Sequence, residues 1–280
     1  MNIKQLSLLI LLVVTGLTAG ARMPVMAMTQ GDTVVIHSAS MKRDIKCAVV
    51  TPRQYSFDAV TRWPVVYLLH GADGCYADWP RKANLDSLTN RYGVIIVCPD
   101  GQDSWYYDSP IDPKMQFETH VGSEVVNYID AHYRTIATRE GRAITGLSMG
   151  GHGALWIGWR HPDVFGATGS MSGGVNITRF PDRWLIQQRL GKYKEYPERW
   201  AAHAVVSLVP TLQPGRQAIT IDDGDKDFFL EVNNELHDKL LQAGIPHDYT
   251  IRPGGHTWVY WVNSLDYHLL FFKKYFDSNR

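Results

Sequence analysis

Ala143-Ile144-Thr145-Gly146-Leu147-Ser148-Met149-Gly150-Gly151 is the stretch whose reading decides how this chain folds. Ala143 to Thr145 has the apolar, β-branched character of a strand, and Gly151 to Trp159 reads as a helix of small residues. Between them lies Gly-x-Ser-x-Gly, which leaves room only for a tight turn. Such a turn strains the serine backbone and pushes its hydroxyl above the sheet. Residues two before and two after the serine must be small, or their side chains would collide across the turn. Gly146 and Gly150 meet that need. The Met149 N–H, at the start of the helix, can then point at a developing oxyanion. A Gly-rich structural turn is the competing reading, but strand before and helix after favour a nucleophile at Ser148.

Working outward, strand and helix signals alternate. Pro64 to Leu69 and Val94 to Val97 are continuous apolar runs, suited to strands buried on both faces. Thr33 to Ile36, Cys47 to Val50, Ala167 to Met171, Ala218 to Ile221 and His247 to Ile251 are further strands. Phe117, Val121, Val125, Tyr128 and Ile129 fall at helical spacing, as do Phe229, Val232, Leu236 and Leu240. Trp258 to Phe276 is a long amphipathic helix. This alternation predicts an α/β fold: a mostly parallel central sheet with helices on both faces. The segment 174–214 breaks the rhythm with Pro181, Pro197, Pro210 and Pro214. It is expected to be a small cap-like insertion in a single domain spanning 28–280, lying over the carboxyl ends of the strands, where ligands bind in such sheets.

The first residues read as a signal peptide. Lys4 is followed by the apolar run Leu6 to Val14 and by Ala19-Gly20-Ala21, with a second small-residue cleavage site at Val25-Met26-Ala27. The expectation is removal of residues 1–21, or of a segment extending to 27, and a secreted or periplasmic mature protein. The apolar run falls short of the ~20 residues that span a bilayer, so no membrane span is expected after removal. Lys and Arg total 28, as do Asp and Glu, which leaves no electrostatic reason to expect nucleic acid as a partner. Three cysteines, Cys47, Cys75 and Cys98, form no C-x-x-C pair, so a zinc site is unsupported. They allow one disulfide or three buried thiols.

His70-Gly71-Ala72, Gly74, Trp79, Pro99-Asp100-Gly101, Trp105-Tyr106, Gly146 to Gly151 and Gly254 to Trp258 occur in the order found in a known family. On these residues the chain resembles the esterase D family of α/β-hydrolases. That family includes S-formylglutathione hydrolases, tributyrin-type esterases, feruloyl and acetyl xylan esterases, and mycolyltransferases. The resemblance runs from about Val65 to about Trp261, with a looser fit over Thr33 to Pro52. It implies the α/β-hydrolase fold and a serine carboxylic-ester hydrolase that needs no cofactor or metal.

A serine hydroxyl needs a base. The fold's chain order is serine, acid, histidine. Of the later histidines, His256 alone stands in a loop between a strand and a helix, and the resemblance points to the same residue. The acid must follow the strand ending near Ile221, where Asp222, Asp223, Asp225 and Asp227 crowd together, and spacing alone does not choose. The family pattern, a glycine, two variable residues and then the acid, selects Asp227 through Gly224, with Asp223 as runner-up. By the same resemblance the Ala72 N–H joins that of Met149 in the oxyanion hole, and His70 orients their loop. Trp79, Trp105 and Trp258 are pocket candidates, able to stack on a feruloyl ring or a sugar. Export disfavours a cytosolic thioester as substrate. The expected partner is a small-molecule or oligosaccharide ester: feruloyl or acetyl esters of plant-polysaccharide fragments, or short-chain acyl esters. Three alternatives stand beside this reading: an acyltransferase of mycolyltransferase type, a non-catalytic carbohydrate-binding protein, and an amidase or peptidase.

Overall fold

The computed structural model describes residues 31–279, and the signal segment with both cleavage sites lies outside them. At its centre is β3 (Val65–Leu69), whose five residues are all fully buried. Val65, Tyr67 and Leu69 join one hydrophobic layer, and Val66 and Leu68 the other. That alternation follows from the period of two in a strand, and burial on both faces explains the unbroken apolar run.

The remaining strands are β1 (Asp32–Ser38), β2 (Arg43–Val50), β4 (Ile95–Pro99), β5 (Arg142–Gly146), β6 (Ala167–Met171), β7 (Ala218–Gly224) and β8 (Asp248–Arg252). They form one sheet in the order β1-β2-β4-β3-β5-β6-β7-β8. The six strands from β4 to β8 in this order run parallel, and β1 and β2 are antiparallel at one edge.

Helices cover both faces. In chain order they are α1 (Asp78–Lys82), α2 (Leu85–Tyr92), α3 (Phe117–Thr119), α4 (Val126–His132), α5 (Met149–Arg160), α6 (Ile186–Leu190), α7 (Pro197–Ala202), α8 (Leu230–Gln242) and α9 (Trp258–Ser278). A π-turn over His120–Val125 joins α3 to α4, so the amphipathic stretch expected from Phe117 onward is one continuous helical segment. It packs with α5 and α8 on one face, while α2 and α9 cover the other. The segment 174–214 holds α6, α7 and short 3-10 turns rather than strands. Buried Trp200 ties it down through Nε1 donating to Gly191 O at 2.9 Å. Tyr107 donates its hydroxyl hydrogen to His203 O at 2.8 Å, joining the segment to the loops above the sheet.

Strand order creates the crevice. From β3 the chain crosses to β4 on one side; from β5 it crosses to β6 on the other. The loop after β3 and the turn after β5 therefore diverge at a topological switch point, where open α/β sheets bind ligands. Those two segments carry Ala72 and Ser148. Cys47, Cys75 and Cys98 are free thiols. Cys47 and Cys98 sit in opposite hydrophobic layers, so the disulfide allowed by the sequence is not made between them. Among the described residues no helix is long and apolar enough to cross a membrane.

Candidate active site

Ser148 caps α5 with φ 55° and ψ −118°, a conformation that non-glycine residues rarely adopt. Three backbone bonds hold it there. Its N–H donates to Met171 O at 2.9 Å, Gly150 N–H donates to Leu147 O at 2.7 Å, and His152 N–H donates to Ser148 O at 3.0 Å. The flanking glycines are required by contact. A Cβ on Gly146 would lie 2.6 Å from the Gly150 backbone, and one on Gly150 would lie 2.5 Å from His70 O and 2.6 Å from Leu69 O. Gly150→Ala must therefore push backbone against backbone. It is expected to lower unfolding free energy by about 1–3 kcal/mol in urea titrations, and to lower kcat because the displaced atoms belong to the His70–Ala72 loop.

That loop is oriented by His70, as expected. Its buried ring donates from Nδ1 to Gly71 O at 2.8 Å, and its Nε2 accepts the Gly101 N–H at 2.8 Å. Burial holds the His70 pKa below its ordinary value, which favours the neutral ring that this pattern needs. Gly71 lets the loop approach closely, since a Cβ there would meet Leu147 Cδ1 at 2.6 Å and Ser148 Cβ at 3.4 Å. Ala72 thereby lines the same cavity as Ser148. Met149 is the first residue of α5, where a backbone N–H has no acceptor within its own helix.

His256 lies between β8 and α9 in a loop that turns on Gly254 (φ 147°). Its Nε2 stands 2.9 Å from Ser148 Oγ, and its Nδ1 stands 3.0 and 2.9 Å from the two carboxylate oxygens of Asp227. A proton on Nδ1 is therefore bonded to carboxylate, leaving Nε2 to accept from the serine. Asp227 Oδ1 also accepts the Phe229 N–H at 2.9 Å. Burial alone would raise the Asp227 pKa, but the bond and charge of His256, with the Phe229 amide, outweigh it and hold the pKa below the usual range.

The other three acids are bound elsewhere. Asp222 pairs with Arg252 and accepts from Ser264. Asp225 Oδ1 accepts Gly254 N–H at 2.9 Å, fastening the His256 loop. Asp223, the runner-up, is fully buried, with Gly224 N–H and Asn233 Nδ2 both donating to it at 2.8 Å.

A cavity of about 530 Å³ opens over Ser148 and His256. Of the three tryptophans considered for a pocket, Trp258 lines it and Trp79 and Trp105 do not. Both are 1% exposed. Trp79 turns back to donate to Leu69 O at 3.0 Å, and Trp105 donates to Trp184 O at 3.0 Å, so each supports a loop from behind. The cavity wall instead includes Trp184 from the insertion, Phe228 beside the acid, and Trp261. Trp184 and Phe228 lie nearly parallel, 5.9 Å apart, and Phe228 and Trp261 flank the His256 ring at 4.2 and 4.8 Å. The sequence signal for Phe228 was its place next to Asp227; Trp184 had none beyond lying in the insertion.

The Esterase family model matches residues 38–272. The chain belongs to the esterase family. This esterase has the α/β-hydrolase fold and is a carboxylic ester hydrolase of the serine type. It is 29% identical over 217 residues to an acetyl esterase of Caldicellulosiruptor saccharolyticus, covering 70% of this chain and 78% of that one. It is 31% identical over 269 residues to the diacylglycerol acyltransferase/mycolyltransferase Ag85A of Mycobacterium leprae, covering 82% and 79% respectively. Among solved structures, a ferulic acid esterase superposes with a TM-score of 0.75 at 29% identity, covering 87% of this chain and 98% of that one.

Proposed function

We propose that this esterase is exported and cleaves feruloyl or acetyl esters of plant-polysaccharide fragments, or short-chain acyl esters, through a Ser148–His256–Asp227 triad. The observation that carries the reading is the unbroken line of hydrogen bonds from Asp227 through His256 to Ser148, ending at an aromatic-walled cavity. His256 Nε2 takes the hydroxyl proton as Ser148 Oγ bonds to the ester carbonyl carbon. The Ala72 and Met149 amides hold the oxyanion. As the C–O bond to the alcohol breaks, His256 returns the proton to the leaving oxygen. Water, deprotonated by the same ring, then releases the acid and restores Ser148. Asp227 holds the ring and stabilises its transient imidazolium.

Export is read from Lys4, Leu6 to Val14 and Ala19-Gly20-Ala21. N-terminal sequencing of the protein recovered outside the cytoplasm is expected to begin after residue 21 or 27. The substrate class is supported by Trp184, Phe228, Trp258 and Trp261 on the cavity wall, and by relatives named acetyl esterase and ferulic acid esterase. In a panel of methyl ferulate, acetylated xylan, p-nitrophenyl acetate and p-nitrophenyl butyrate, feruloyl or acetylated carbohydrate esters are expected to give the highest kcat/KM. Equal or better turnover of the simple p-nitrophenyl esters would leave a general short-chain esterase. Trp184→Ala is expected to cost methyl ferulate about tenfold in kcat/KM, the size of one lost aromatic contact, and p-nitrophenyl acetate much less. The mycolyltransferase relative favours a second outcome, acyl transfer to an alcohol in place of water. Product analysis with added sugar separates transfer from hydrolysis.

A further inference from the structure

The cavity over Ser148 carries fixed charge of one sign. Asp73 and Asp78 line it, and no Lys or Arg stands among the described residues of its wall. Asp73 directly follows Ala72, whose amide is one of the two oxyanion donors. Its backbone is left-handed, at φ 57°, a region that Asp and Asn enter more readily than most other residues. Its N–H donates to Asp103 Oδ1 at 2.7 Å, which fastens the turn and sets a third carboxylate against it. The Arg189 guanidinium donates to the Asp103 backbone oxygen at 3.1 Å and pairs with Asp112 at 3.2 Å, so its charge is engaged elsewhere. Asp78 Oδ2 accepts the Cys75 N–H at 3.0 Å and belongs to the loop's own framework. Asp73 is exposed, and its carboxylate has no hydrogen-bond or ion-pair partner among the described residues.

A negative group brought to this cavity meets two obstacles. Like charges repel, and a cavity with apolar walls screens that repulsion less than open water does. The rest of the wall is no kinder to an anion. Trp184, Phe228, Trp258 and Trp261 present aromatic rings, whose faces carry negative potential and offer a stripped carboxylate no hydrogen bonds. We propose that Asp73 sets the charge selectivity of this site: esters that are neutral beside the reacting bond are accepted, and esters carrying a carboxylate there are repelled. The inference rests on the reading of the site as an ester-cleaving triad and narrows its substrate. Acyl groups on neutral sugars fit it, and acyl groups on uronic acids do not.

Two pairs of esters test it, each pair differing only in a carboxylate against a carboxamide. The first, 4-acetoxybenzoate and 4-acetoxybenzamide, differs on the alcohol side. The second, monomethyl terephthalate and methyl 4-carbamoylbenzoate, differs on the acyl side. In the wild-type enzyme the amide is expected to have the higher kcat/KM in at least one pair. Asp73→Asn keeps the side chain's shape, tolerates the left-handed backbone and removes the charge. It is expected to narrow that pair's ratio by about three- to tenfold, the size of one partly screened charge repulsion. A loss shared by both esters cancels in the ratio, so damage to the neighbouring Ala72 amide does not imitate the result. Raising NaCl from about 0.1 M to about 1 M shortens the screening length from about 10 Å to about 3 Å. That is expected to narrow the wild-type ratio as well, and to change the ratio of Asp73→Asn much less. Ratios that Asp73→Asn leaves unchanged in both pairs overturn the proposal. If Asp73→Asn does not fold, the wild-type salt series decides: a ratio that narrows supports the proposal, and one that stays constant overturns it. A wild-type enzyme that turns over no ester at all overturns the triad reading, and this inference with it.

Discussion

Ser148→Ala is expected to lower kcat on p-nitrophenyl acetate by about 10⁴–10⁶-fold, the usual cost of removing a triad member. The size follows from what one oxygen does. Ser148 Oγ is the atom at the end of the His256 bond, and without it no acyl-enzyme forms and the ring has no proton to move. What remains is the cavity and the two amides, enough for slow attack by water. The fold is expected to survive, because the bonds that hold the turn come from the backbone of residues 148, 150 and 152. The variant should also stop reacting with a fluorophosphonate probe while the wild type is labelled at Ser148. A variant with wild-type kcat, or one still labelled, removes Ser148 from the chemistry. A wild-type protein that neither labels nor turns over esters would point instead to a carbohydrate binder.

How much of this was legible in the sequence depends on how local the cause was. The turn at Ser148 was readable because its requirement is local: small residues two positions either side, between a strand and a helix. The buried strands β3 and β4 were readable because burial on both faces leaves no polar positions. Helix α2 was not anticipated. It has only eight residues, and its boundaries lie in single side chains: Asn84 accepts the Ser87 N–H at the start, and Gly93 ends it at φ 63°. The tryptophans show a different limit. Trp79, on the short helix α1, and Trp105, in the loop after β4, both follow strands, as pocket residues do, yet both rings turn inward to backbone carbonyls. Which way a loop aromatic points is set by acceptors distant in sequence, and composition does not carry that. The acids are the clearest case. Asp222, Asp223, Asp225 and Asp227 fall within a stretch of six positions, and their partners Arg252, Asn233, Gly254 and His256 arrive from β8, α8 and the loop before α9.

Those partners make Asp227→Asn the sharper test of the site. It is expected to lower kcat by about 10⁴-fold, near 5 kcal/mol of transition-state stabilisation, with little change in KM. The amide keeps the shape of the carboxylate and can still accept the Phe229 N–H, so folding should be retained. What changes is the proton on His256. A carboxylate facing Nδ1 with both oxygens holds the hydrogen on that nitrogen. An amide can present its N–H₂ instead, which favours hydrogen on Nε2, the nitrogen that must accept from Ser148. It also removes the charge that stabilises the imidazolium. The neighbouring substitutions should behave differently. Asp225→Asn sits at the surface and keeps an acceptor for Gly254, so it should stay within about threefold of wild type. Asp222→Asn breaks a buried contact with Arg252 and should appear as lost stability in urea titration, before any specific loss of kcat. Measuring kcat and unfolding on the same three proteins separates chemistry from support. If Asp227→Asn turns over esters normally while Asp225→Asn or Asp222→Asn does not, the acid of this site has been assigned to the wrong residue.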